Sequence, residues 1–147
     1  EIQKQMVIKI GQVNLSYRIK LYNCRWVLER AVRDYSLRID TDSIKKKSKI
    51  LYQSLEKIRT CKTSAQLLGL EGEAAAVYFS VFDELILQQK EDFTFQGRNR
   101  RPPLDNINAM LSFAYSLLTG MCGSALESVG LDAYVGFFIQ TDREEYL

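Results

Sequence analysis

The chain has 147 residues, 46% of them apolar, which suits a single domain with a sizeable core and excludes a disordered chain. It contains no histidine, so His-ligated zinc, Ser–His catalysis and His acid–base chemistry are excluded within it. The net charge of +2 conceals two unlike halves: residues 16–62 carry thirteen Lys/Arg against five Asp/Glu, a net +8, and residues 63–147 carry five against twelve, a net −7. A basic half of that size suits a polyanion, nucleic acid first, and equally suits a solvated helix face.

Along the chain, residues 5–15, "QMVIKIGQVNL", are rich in β-branched residues and broken by Gly11. They predict a strand, so residues 1–15 read as the remnant of an N-terminal β domain or a linker. From Tyr17 the period lengthens to three and four, with Ile19, Tyr22, Trp26, Leu28 and Val32 as the apolar stripe of a helix. "DTDS" offers N-caps for a second helix, whose stripe is Ile44, Leu51, Leu55 and Ile58 and whose outer face carries Lys45, Lys46, Lys47 and Lys49. Thr63 with Gln66 predicts a capping box for a short helix that Gly69 ends. Leu70 to Gln89 is apolar on almost every side and predicts a central helix. "EDFTFQGRNRRPPLD" is a loop. Asp105 then caps a buried helix with Ile107, Leu111, Ala114 and Leu118 on one face, which Gly120 breaks, and a short helix follows that ends at Gly130.

The fold class is therefore mainly α, a helical bundle domain over residues 16–147 with a small N-terminal β fragment. Cys24, Cys61 and Cys122 lack C-x-x-C spacing and read as buried free thiols. No apolar run is read as long enough to span a bilayer, and "EIQKQMVIKI" lacks a signal-peptide pattern. A soluble, cytoplasmic protein is expected.

Three constellations could carry chemistry. Glu71 sits in "GLEGEAAAVYF" at the mouth of an apolar helix. It reads either as a helix start matched to the dipole or as a hard oxygen ligand for a divalent cation that also holds phosphate. Gly72 beside it would let another group approach, and Glu73 reads as surface. Arg98, Arg100 and Arg101 crowd into a proline-stiffened loop, where their forks suit phosphate oxygens or the nearby acids Glu91 and Asp92. Asn106, Asn108, Ser112 and Tyr115 read mainly as polar ties between helices.

"LLGLEGEAAAVYF", "RNRRPPLDNINAMLSFAYSLL" and "ALESVGLDAYVGFF" follow one another in that order, after "YNCRWVLERAVRD". Together they resemble the C-terminal helical domain of the CRISPR-associated spacer-acquisition integrase, the universal Cas protein of adaptation, over about residues 20–138. The resemblance implies a metal-dependent DNA endonuclease and integrase that joins short fragments into a CRISPR array by transesterification. It also implies double-stranded DNA as substrate, a homodimer, a small partner Cas protein, and Mg2+ or Mn2+ held by one Glu, one His and one Asp. The Glu lies in a Gly-x-Glu-Gly motif, which here makes Glu71 the catalytic metal ligand. Arg98, Arg100, Arg101, Lys45, Lys46, Lys47 and Lys49 are expected to contact DNA.

Two departures qualify that expectation. Where the family places its His, directly after a Gly-Phe-Phe-like stretch, Ile139 follows Phe138, and no Asp-bearing helix comes next. The helical domain is therefore expected to be incomplete at its C-terminal end and, as it stands, catalytically incompetent. The alternatives are a non-catalytic helical DNA- or protein-interaction module and a general metal nuclease.

Overall fold

A helical hairpin organises the molecule, and its seam is set by one stripe on each arm. The computed structural model describes residues 2–134, with side chains from Val13 onward. Helix α1 spans Ile2–Asp34, α2 spans Thr41–Thr60, α3 spans Ser64–Phe79, and α4 spans Asn106–Ser128, with a 3-10 turn at Phe82–Leu85 after α3. No strand occurs among the described residues.

Helices α1 and α2 are antiparallel: Asn14 near the start of the seam donates to the Ile58 carbonyl at 2.8 Å, and Ser48 donates to Glu29 farther along. On α2, Ile44, Ser48, Leu51, Leu55 and Ile58 are buried, at spacings of four and three. On α1, Val13, Leu21 and Leu28 are buried, and Tyr17, Cys24 and Val32 pack against them. Each buried Leu or Ile contributes about 1.5–3 kcal/mol. Asp40 caps α2 as expected, accepting from the Asp42 and Ser43 backbone N–H groups at 3.1 Å each. Leu67 and Ala74 of α3 close the core from the side.

Several expectations need correction. The segment 5–15 is helix rather than strand and runs without a break into the rest of α1. The sequence spacing explains it: Met6, Ile10, Val13, Tyr17, Leu21, Cys24 and Leu28 recur at three and four, a helical period that outweighs local β propensity. Of the expected stripe on α1, Leu28 is buried and Val32 packs on the core, whereas Ile19, Tyr22 and Trp26 are about half exposed. None of the three thiols is fully buried: Cys24 and Cys61 are intermediate, and Cys122 is exposed.

Helix α3 passes straight through Gly69 and ends at Phe79, ten residues short of the predicted central helix. Its end has a physical cause. Tyr78, Phe79, Phe82 and Phe95 gather with ring centroids 5.0–5.7 Å apart, and the Asp83 carboxylate accepts the Phe95 N–H at 2.8 Å. Folding Phe95 back into this cluster turns the chain out of the helix.

Helix α4 likewise passes through Gly120, the expected break, and ends at Ser128, with Val129 as its cap and Gly130 beyond it at a φ of +76° that suits glycine. It is therefore long and apolar enough, by length and composition, to cross a membrane, contrary to the expectation that no run reaches that length. Ile107 and Leu111 are partly covered, whereas Ala114 and Leu118 are exposed, so the expected buried face is buried only at its start.

Candidate functional site

Glu71 lies on the second turn of α3, facing α1, where its carboxylate accepts a hydrogen bond from the Lys20 ammonium. The two side chains are unequally placed: Glu71 is 18% exposed and Lys20 is 51% exposed. Tyr17, Lys20 and Cys24 recur at three and four residues along α1, so one edge of that helix faces the carboxylate. Burial pushes the Tyr17 phenol up, and the Glu71 charge adds to the effect. The Cys24 thiol is also pushed up, by burial first, with Lys20 opposing. Below them Tyr78 is pushed up to about 12, by burial and then by Cys24 and Tyr115. Glu71 thus sits among groups that stay neutral at pH 7, with one ammonium beside it.

Gly72 and Gly69 leave open space: a Cβ at either position would meet no atom within 4 Å. The expected close approach of another group to Gly72 does not occur among the described residues, and Glu73 is exposed as expected.

The arginine loop divides into two roles. Arg98 turns inward, donating from Nη1 to Asn108 Oδ1 at 2.8 Å and from Nη2 to Ser112 Oγ at 3.4 Å, with its guanidinium 5.6 Å from the Tyr115 ring centre. Asn108 is fully buried and uses its whole amide. Its Oδ1 also accepts from Asn99 N at 3.0 Å, and its Nδ2 donates to Gly97 O at 2.8 Å and Asp105 Oδ2 at 2.7 Å. Asp105 meanwhile caps α4 through the Asn108 N–H. Arg98 and Asn108 therefore bind the loop to the first turns of α4, as polar ties do. Arg100 and Arg101 remain exposed.

The lysines of α2 form a separate patch. Lys45, Lys46 and Lys49 are exposed and Lys47 is half-buried. They lie opposite the Glu29 end of α1, where Ser48 meets Glu29. Lys20 is nine residues from Glu29, roughly 14 Å along a helix. The basic patch and Glu71 therefore share the hairpin but occupy different levels of it.

Sequence reasoning missed Lys20 as the partner of Glu71. Once the seam is read as Val13, Tyr17, Leu21, Cys24 and Leu28, Lys20 falls on its edge, three residues from Tyr17.

A divalent cation needs several converging oxygen or nitrogen donors. Among the described residues no three His, Cys, Asp or Glu side chains converge, and the nearest charge to Glu71 is a cation. These residues alone do not fit magnesium or manganese.

The family model described as CRISPR associated protein Cas1 matches residues 11–146. CRISPR-associated endonuclease Cas1 2 of Rhodospirillum rubrum is 48% identical over 128 residues, covering 84% of this chain and 37% of the relative. CRISPR-associated endonuclease Cas1 1 of Chlorobaculum tepidum is 44% identical over 124 residues, covering 84% and 36%. CRISPR-associated endonuclease Cas1 of Leptospira interrogans is 44% identical over 118 residues, covering 80% and 46%. The chain thus spans between about a third and a half of each relative's length. The match over nearly all of the sequence means that this chain belongs to the Cas1 family of CRISPR-associated proteins.

Proposed function

We propose that the full-length protein containing this chain is a cytoplasmic enzyme of CRISPR adaptation, an endonuclease and integrase that inserts short DNA fragments into the repeat array. In the joining step, the oxygen of a fragment's 3′ hydroxyl bonds to a backbone phosphorus. The existing phosphorus–oxygen bond to the neighbouring 3′ carbon breaks, and its oxygen leaves with the electron pair and takes up a proton equivalent to the one the hydroxyl loses. Family membership over residues 11–146, with relatives named as endonucleases, carries this reading.

Glu71 supplies one oxygen donor toward Mg2+ or Mn2+, and the His and Asp of the expected set come from outside the described residues. Arg100 and Arg101, exposed at the loop, and Lys45, Lys46 and Lys49, exposed on α2, bind phosphates without reading sequence. Lys47 adds charge to the same patch. The assembly is a homodimer with a small partner Cas protein.

One observation favours a second reading, a non-catalytic DNA- or protein-interaction module: Glu71 stands without converging ligands among the described residues. Incubating the full-length protein with a 3′-hydroxyl DNA fragment, a repeat duplex and Mn2+ separates the possibilities. Branched half-site products support the integrase. Cleavage without joining supports a general nuclease, and DNA binding without either supports the module.

A further inference from the structure

Arg100 and Arg101 are the uncommitted cations of their loop. Both are exposed, and neither side chain makes an ion pair or a hydrogen bond among the described residues, the nearby acids Glu91 and Asp92 included. The backbone that carries them is held on both sides. Asn99, just before them, engages all four of its polar groups. Its N–H donates to Asn108 Oδ1 at 3.0 Å, its carbonyl accepts from the Arg98 guanidinium, its Nδ2 donates to Gly97 O at 3.4 Å, and its Oδ1 accepts the Leu104 N–H at 2.7 Å. The last bond closes a ring around residues 100–103. Besides the two arginines that ring holds only Pro102 and Pro103, whose φ angles are fixed covalently. Asn108, fully buried, ties the ring to the start of α4.

We infer that Asn99 is a positioning residue for phosphate binding: its carboxamide closes the loop that presents Arg100 and Arg101. The inference rests on the proposed role of those two arginines as phosphate contacts. An arginine on a loose loop loses backbone and side-chain freedom when it grips a phosphate, whereas a loop already closed has lost the backbone share beforehand. Asn99 Oδ1 is an acceptor and cannot itself bind a phosphate oxygen, so its contribution passes through the arginines that follow it.

The test is binding of a labelled DNA duplex by the full-length protein, read by fluorescence anisotropy across a range of salt concentrations. Asn99→Ala is expected to raise the Kd about 5-fold. The slope of log Kd against log salt should stay as in the wild type, because both arginines remain. Arg100→Ala/Arg101→Ala is expected to lower that slope by about 1.8, two phosphate contacts at about 0.9 each, and to weaken binding more. Adding Asn99→Ala to that double variant is expected to change nothing further, whereas damage to the fold would weaken both backgrounds alike. If Asn99→Ala folds poorly, the near-isosteric Asn99→Leu is held to the same criterion. Unchanged affinity in the Asn99 variants, or an equal loss in both backgrounds, overturns the positioning role and leaves the arginine contacts standing. If Arg100→Ala/Arg101→Ala binds DNA with the wild-type Kd and slope, the phosphate role of the loop fails and the positioning role fails with it.

Discussion

Helices α2 and α4 are of similar length, 20 and 23 residues, and opposite in fate. The α2 helix is rich in lysine, yet every third or fourth residue from Ile44 to Ile58 is buried. The α4 helix is far more apolar, yet Asn108 is its one buried residue, and Met110, Phe113, Leu117, Leu118 and Met121 all lie more than half exposed. The contrast teaches that apolar content does not bury a helix. A stripe with a matching partner does, and α1 supplies that partner to α2 and, along one side, to α3, but not to α4. What holds the first turns of α4 is polar: the Arg98–Asn108–Asp105 network, which ties them to the preceding loop.

The comparison can be broken or sharpened by substitution, read by urea denaturation. The largest effect is expected from Leu51→Ala, fully buried on the α2 seam. It should cost about 2–5 kcal/mol. A loss below about 1 kcal/mol would mean that the α1–α2 seam does not dominate stability. Next comes Asn108→Ala, which strands Gly97 O, Asp105 and the Arg98 guanidinium. A loss of about 1–3 kcal/mol is expected. No loss would show that the network is not what anchors α4.

Tyr78 gives a pH-dependent test. Its phenol is raised to about 12 by burial, against an ordinary value of 10.0. The unfolded chain therefore ionises first as pH rises, and stability present below pH 10 should fall progressively as pH approaches 12. In Tyr78→Phe that part of the alkaline decline should vanish, and an identical pH profile would contradict the burial of Tyr78. The smallest effect is expected from Phe113→Ser on the outer face of α4, 67% exposed. The isolated chain should change by less than about 0.5 kcal/mol. A cost above about 2 kcal/mol in the full-length protein would show that α4 is covered there and erase its contrast with α2.

How much of this was legible in the sequence follows the same division. The α2 helix was legible throughout, because Ile44, Leu51, Leu55 and Ile58 form one clean stripe behind an Asp40 cap. The helix start at Thr63 was legible too, since its hydroxyl accepts the Gln66 N–H at 3.3 Å. On α1 the stripe was legible only at Leu28 and Val32: Tyr22 and Trp26 suggested a core face, and the seam there uses Val13 and Leu21 instead. The misreading concealed Lys20, whose position on the seam edge is visible only once the correct face is known. Gly69 and Gly120 looked like stops, but a glycine inside a helix costs only about 1 kcal/mol and neighbouring turns can absorb it. Glu71 was expected at a helix mouth, yet it lies two turns inside α3, because α3 runs through Gly69; its partner lies 51 positions away in sequence and depends on packing that no local pattern encodes.

The claim at the centre is that Glu71 does chemistry rather than only holding α3 against α1. The most direct measurement is the rate of half-site joining by the full-length Glu71→Gln protein, taken alongside its affinity for the same DNA. Joining should fall by at least about 100-fold, in line with loss of a group that stabilises developing charge, while the DNA affinity stays within a few-fold of wild type. Joining at the wild-type rate by a folded Glu71→Gln protein would contradict the claim and leave Glu71 as a helix-to-helix ion pair.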